Sequence, residues 1–213
     1  MTEMHYRAPK TLAEAVKMMA AAKGRARVLA GGSDLLVQMR GGRAALELVV
    51  DIKNIPGLTA TALAKGGFRF GAATPCIELV EHAKFAKTWP GVSEAIALIG
   101  SIQAKGRASA GGNLCNASPA ADSVPAMIAA GAVARVVGPK GKRNVPVEEI
   151  PVGPGKTSLA QGEIVASIFL PKRAPRSGDA YLRFIPRTEM DIAVVGAGVN
   201  LTLDAKGVCR SEE

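Results

Sequence analysis

A-G-G-S-D-L at Ala30 to Leu35 and S-A-G-G-N-L at Ser109 to Leu114 are two glycine-rich segments about eighty residues apart. The second runs on through C-N-A-S-P-A-A-D, Cys115 to Asp122. Each sets a Gly-Gly pair ahead of small polar residues. Glycine lets the backbone approach a ligand closely, and adjacent N–H groups can then converge on an anion. Two such segments in one small chain suggest a long ligand with a phosphate-rich middle, gripped from two sides. A dinucleotide fits that description.

Around the first segment the pattern is β-α-β-like. Thr11 and Glu14 form a T-x-x-E capping box after Pro9, and T-L-A-E-A-V-K-M-M-A-A-A-K, Thr11 to Lys23, is amphipathic with a helical period. R-V-L-A, Arg27 to Ala30, reads as a buried strand that feeds the glycine pair. Asp34 to Arg40 reads as a short helix, and L-E-L-V-V-D-I, Leu46 to Ile52, as a second strand. From Gly66 the texture changes. Phe68 to Ala72 alternates like a strand, Pro75 opens a helix, and Gly91 to Ile99 is helical. Gly100 to Ser118 then reads as a long irregular loop, poor in large apolar side chains. Pro119 marks the next helix start. Strands follow at Ala132 to Gly138, across a P-K-G-K hairpin into R-N-V-P-V, and at Glu163 to Pro171. K-R-A-P-R-S-G-D is a linker by composition, and a further unit begins at Tyr181.

Composition narrows the functional classes. The 213 residues are 48% hydrophobic, enough to bury a core, but only 4% aromatic with one tryptophan, so Ala, Val, Ile and Leu must fill most of it. The net charge is +9, yet the basic residues are scattered and stacking aromatics are scarce, which argues against nucleic-acid binding. A solvated surface or a docking face for an acidic partner accounts for the charge. No apolar run reaches the roughly 20 residues that span a bilayer, and the N-terminus has no apolar signal core. Three cysteines at wide spacing fit a reducing cytoplasm and fall short of the four thiolates of an iron–sulfur cluster. His5 and His82 stand alone, so no metal site is expected. No nucleophile elbow or paired base is present, and Glu78 and Glu81 lie on a solvated helix face.

Strand, Gly31-Gly32-Ser33, then helix is a ready anion site, because the first helical N–H groups and the helix dipole both favour a phosphate. A plain strand-to-helix turn is the alternative. Asp34 either caps that helix or touches ligand. The spacing is not G-x-G-x-x-G, and Asp51 follows the wrong glycine spacing for a Rossmann ribose contact. In the second segment Ser109 offers a hydroxyl and Asn113 an amide. Asp122 either accepts from a ribityl or sugar hydroxyl or caps a helix, and Cys115 lies near any ligand or is a buried inert thiol. Binding machinery without acid–base machinery is what a redox-cofactor module needs, since the cofactor carries the chemistry.

V-L-A-G-G-S-D-L-L-V-Q-M, I-G-S-I-Q-A-K-G-R-A-S-A-G-G-N-L-C-N-A-S-P-A-A-D-S-V-P-A and G-P-G-K-T-S-L-A-Q-G-E-I-V-A-S-I-F-L-P resemble the FAD-binding medium subunit of the molybdenum hydroxylases, the carbon monoxide and xanthine dehydrogenase type. The resemblance runs from Tyr6 to Arg210. It implies an α+β fold, an FAD-binding domain of the vanillyl-alcohol-oxidase (PCMH) type with two α/β subdomains, at 1–56 and 57–174. A linker at 175–180 and the start of a C-terminal α/β domain at 181–213 would follow. Carried over by position, Val28, Leu29, Ala30, Gly31, Gly32, Ser33, Asp34 and Leu35 would wrap the FAD pyrophosphate. Ser109, Ala110, Gly111, Gly112 and Asn113 would hold the phosphates and ribityl chain from the other side. Asp122 would bond a cofactor hydroxyl, Ile99 and Ser101 would lie near the flavin entrance, and Val165 would touch the ring or adenine region.

The same resemblance implies partners: a large molybdenum-cofactor subunit and a small iron–sulfur subunit, with this chain passing electrons from the clusters to an external acceptor. It also implies a longer C-terminal domain than 181–213 provides, so that apolar strand surface is expected to stand uncovered. Where some relatives carry a lysine after D-I-A, Val194 stands here. A self-sufficient reductase resembling UDP-N-acetylenolpyruvoylglucosamine reductase is an alternative, but little room follows residue 180 for its substrate domain. A cofactor-free assembly subunit is another.

Overall fold

The computed structural model describes residues 4–22, 24–42, 46–188 and 191–212. Lys23, the last residue of the stretch read as the first helix, lies outside them.

Strand β1 (His5–Arg7) leads into helix α1 (Leu12–Ala21), β2 (Ala26–Leu29), α2 (Leu35–Arg40) and β3 (Leu48–Asp51). The capping box forms as read: Glu14 N–H donates to Thr11 Oγ1 at 3.2 Å, and the Glu14 carboxylate accepts from Thr11 N–H at 3.3 Å. β1 and β2 both pair parallel with β3, which is central. Ala15 and Val16 of α1 bury against Val50, Ile52, Ile55 and Leu58. This small layer ends at β2 in the first glycine segment.

The second unit is a five-stranded antiparallel sheet in the order β4-β5-β10-β6-β7. Its strands are β4 (Thr61–Ala64), β5 (Gly67–Gly71), β6 (Val133–Gly138), β7 (Gly141–Pro146) and β10 (Ile164–Pro171), and a small hairpin, β8 (Pro151–Gly153) and β9 (Lys156–Thr157), precedes β10. One face carries α3 (Cys76–Val80), α4 (Ala83–Thr88), α5 (Pro90–Ala97), α6 (Ile102–Lys105), α7 (Ala110–Asn116) and α8 (Ser123–Ala129). The scarce aromatics are concentrated here: Phe68 and Phe85 ring centroids lie 5.2 Å apart, and Phe85 and Trp89 6.0 Å. Leu114, Met127, Ile168 and Leu170 complete this core.

Three readings of local structure need correction. The stretch 100–118 is not an irregular loop, because it contains α6 and α7. Ser101 caps α6, accepting from Ala104 N–H at 3.3 Å, and Ser109 caps α7, accepting from Gly112 N–H at 3.0 Å. The glycines of α7 conceal it in sequence, since Gly costs about 1 kcal/mol in a helix interior. Gly111 is nonetheless required, because a Cβ there would stand 2.7 Å from Ala72 Cα. Pro119 does not open the next helix, which starts at Ser123. Lastly, the chain enters β11 (Ser177–Phe184) inside the stretch read as linker.

β11 pairs antiparallel with β12 (Val195–Leu203), which pairs with β13 (Cys209–Glu212). The face of this sheet turned to α5 and α8 carries Asp179, Tyr181, Arg183 and Asn200. The outward face carries Leu182 and Phe184, 77% and 62% exposed, with Val195, Val199 and Leu201 across from them. Polar inside and apolar outside is the reverse of an ordinary half-buried sheet.

Candidate functional site

A cavity of about 620 Å³ opens where the small parallel layer faces α7 and the β8–β10 segment. Its first wall is the turn after β2. Among the described residues, the N–H groups of Gly31, Gly32, Ser33, Asp34 and Leu35 donate to no carbonyl or side chain. Five consecutive unspent donors at a strand-to-helix turn are the kind of array that suits an anion. Gly32 has φ +79°, a left-handed conformation that glycine adopts at little cost. Asp34 stands at the cap position of α2 but makes no capping hydrogen bond.

The turn is braced from below. Lys53 Nζ donates to the Ala30 carbonyl at 2.9 Å and to Asp51 Oδ2 at 2.8 Å, and Tyr6 Oη donates to the same carboxylate oxygen at 2.6 Å. Burial opposes ionisation of Asp51, but the hydrogen bonds from Lys53 and Tyr6 outweigh it and hold the carboxyl below its ordinary value. Asp51 thus supports the turn that its sequence spacing did not connect to a ligand.

The second wall is the start of α7. Ser109 is buried and anchored by an isolated bridge to Pro75. Gly111, Gly112 and Asn113 line the cavity, with Cys115 and Asn116 one turn on. Gln38 Nε2 of α2 donates to Asn116 Oδ1 at 3.0 Å, joining the two walls. Asn113 Oδ1 accepts from Ser123 Oγ at 2.7 Å, so that amide is oriented by α8. Burial pushes the Cys115 thiol up to about 12, so it stays protonated and inert.

A third wall, Gly155 to Val165, was largely missed. Thr157, Leu159 and Gln161 line the cavity here, beside the expected Val165. Its one signal in the sequence is its place in G-P-G-K-T-S-L-A-Q-G-E-I-V-A-S-I-F-L-P, one of the stretches that carry the family resemblance. Glu163 also lines this wall; the bidentate Arg143 guanidinium, at 2.8 Å on both oxygens, holds its carboxyl below the usual range against the opposing effect of burial.

Of the expected residues, Val28, Ala30 through Leu35, Ile99, Ser109, Gly111, Gly112, Asn113 and Val165 are brought together around this cavity. Leu29, Ser101, Ala110 and Asp122 are not among its lining residues. Ser101 is occupied as the α6 cap, and Ala110 is buried in the core. Asp122 makes no helix-capping bond: its carboxylate accepts from Tyr181 Oη at 3.0 Å and from Arg183 Nη1 at 2.9 Å, both on β11. Among the described residues no cluster of His, Cys, Asp or Glu is placed to hold a metal, and no helix is long and apolar enough to cross a membrane.

Two glycine-built walls, the first with five unspent N–H donors, face each other across a cavity of a size and character suited to a phosphate-bearing cofactor. Residues 2–173 match the family described as "FAD binding domain in molybdopterin dehydrogenase", and the chain belongs to that family. It is 34% identical over 201 residues to the xanthine dehydrogenase FAD-binding subunit of Escherichia coli O157:H7, covering 93% of this chain and 68% of that one. It is 31% identical over 194 residues to the carbon monoxide dehydrogenase medium chain of Hydrogenophaga pseudoflava, covering 91% and 67%. The solved carbon monoxide dehydrogenase of that organism superposes with a TM-score of 0.93 at 30% identity, over 99% of this chain and 72% of that chain. The protein is therefore an FAD-binding subunit of an oxidoreductase of the molybdenum hydroxylase type, and the self-sufficient reductase reading gives way to it.

Proposed function

We propose that this chain holds FAD with its pyrophosphate between the Gly31–Leu35 donors and the first turn of α7, and serves as an electron-transfer subunit. The array of five unspent N–H groups carries this placement. FAD supplies reversible electron uptake and release when bound. The chain's own residues bind and orient it: the Lys53–Asp51–Tyr6 brace fixes the donor turn, and the Gln38–Asn116 bond sets the spacing of the walls. Ile99 and Val165 offer apolar contact to the ring system. Electrons arrive from iron–sulfur clusters on a small partner subunit, after substrate oxidation at a molybdenum cofactor on a large one, and leave to an external acceptor in the cytoplasm. Membership in a family of FAD-binding domains and subunits supports a carrier role over independent substrate turnover.

The test is purification of the chain alone. Flavin absorbance, reduction by dithionite and reoxidation by an added acceptor are expected, without oxidation of an organic substrate. Substrate hydroxylation by a homogeneous, metal-free sample would overturn the proposal.

A further inference from the structure

A second cavity, of about 120 Å³, lies where the end of β10 and the segment after it meet the polar face of the β11–β12 sheet. Trp89, Arg173 and Asn200 line it. These same residues hold three of the buried side-chain atoms that lack any hydrogen-bond partner among the described residues: Trp89 Nε1, Arg173 Nη2 and Asn200 Oδ1. Trp89 is only 4% exposed, so its N–H is shielded from bulk solvent. An orphaned buried polar group is costly, and three around one cavity point to a partner common to all.

The chemistry of that partner follows from the groups. Two are N–H donors and one is an acceptor. Lys172 also lines the cavity, so two cations face one carboxylate, Asp179. Asp179 is already engaged: Oδ1 accepts from Arg173 Nη1 at 2.6 Å and Oδ2 from Val92 N–H at 3.2 Å. Arg173 Nη1 also donates to the Thr88 carbonyl at 2.8 Å, which leaves Nη2 free for a ligand. One positive charge therefore remains in excess. We propose that this cavity binds inorganic phosphate. Its oxygens accept from Trp89 Nε1–H and Arg173 Nη2–H, its charge is met by Lys172, and its P–OH donates to Asn200 Oδ1. Sulfate has no hydroxyl at neutral pH and leaves Asn200 unsatisfied; a nucleotide exceeds the volume. Because the site joins α4, β10 and β12, bound phosphate fastens the C-terminal sheet to the FAD-binding unit.

Trp89 is the sole tryptophan, so its emission reports on the site directly. FAD-loaded protein, with the larger cavity filled, is titrated with phosphate at constant ionic strength set by chloride. A saturable change in Trp89 emission is expected, with sulfate weaker by about tenfold. Calorimetry on Asn200→Asp, which sets a carboxylate against the anion, and on Lys172→Met, an exposed residue whose loss spares folding, is expected to show affinity reduced by about tenfold or more. No saturable response up to phosphate on the order of tens of millimolar, as when water alone fills the cavity, would overturn the proposal. So would equal responses to phosphate, sulfate and chloride, or phosphate affinity unchanged in both variants, which would locate binding elsewhere.

Discussion

Gly31 lies against the carbonyl of Arg107, and a Cβ on Gly31 would stand 2.8 Å from the Ala108 Cα. The two glycine segments thus meet through backbone. Gly31 is required by the packing of one wall on the other, whereas Gly112 faces the cavity, and a Cβ on it would meet only Ser109 Oγ, at 3.0 Å. The two positions are expected to fail differently. Gly31→Ala overpacks the junction and lowers stability by about 2 kcal/mol with or without flavin. Gly112→Val stays folded and loses flavin. Denaturant midpoints and flavin-to-protein absorbance ratios on both variants check this; normal flavin content in folded Gly112→Val would refute the placement.

Asp122 is expected to act as a fastener. Its carboxylate takes the Arg183 guanidinium and the Tyr181 hydroxyl, with both members of the ion pair largely buried. Asp122→Ala strands a buried arginine and costs about 3 kcal/mol. The loss should be equal in the presence and absence of FAD by urea denaturation. A loss seen only with FAD would restore Asp122 as a cofactor contact.

The Asp51 brace makes a pH-dependent contribution. Its folded-state carboxyl is held below its ordinary 3.8, so the stabilisation is complete above that value and is lost as pH falls through the lower folded one. Lys53→Met removes the ion pair and is expected to cost about 2 kcal/mol near neutral pH. That difference from the parent shrinks toward about pH 3, as Asp51 protonates. Urea midpoints across this range test it; a difference independent of pH would mean that Lys53 acts only through the Ala30 carbonyl.

The thiols should separate cleanly. Burial pushes Cys76 and Cys115 up to about 12, whereas Cys209 is exposed. Alkylation of native protein near pH 8 is expected to modify Cys209 alone, since attack needs the thiolate. Mass spectrometry identifies the modified residue. Rapid labelling of Cys115 would show that its cavity wall opens.

The outward face of the β11–β12 sheet is expected to drive self-association of the isolated chain, because it gathers Leu182, Phe184, Val195 and Val199 in one patch. Leu182→Lys with Val195→Lys should lower aggregation by light scattering and leave flavin content unchanged. Scattering equal to the parent's would place the adhesive surface elsewhere.

Local patterns in the sequence were enough for several features. The T-x-x-E box at Thr11 and Glu14, the strand running into Gly31, and the glycine pairs that line one cavity each depend on neighbours a few residues apart. The helix α7 was not legible, because Gly111 answers to Ala72 on a distant strand and overrides local propensity. Asp51 and Asp122 each had a sequence reading, but their roles come from Lys53 and Tyr6 in one case and from Arg183 and Tyr181 in the other. The alternation V-G-A-G-V-N-L-T-L marks β12 as a strand with two unlike faces. Which face turns inward was decided only by tertiary structure: the small and polar set packs on α5 and α8, where Asp122 supplies a buried partner for Arg183, and the apolar set is left outside. A period of two records that a strand has faces; the partner each face meets is set by residues far along the chain.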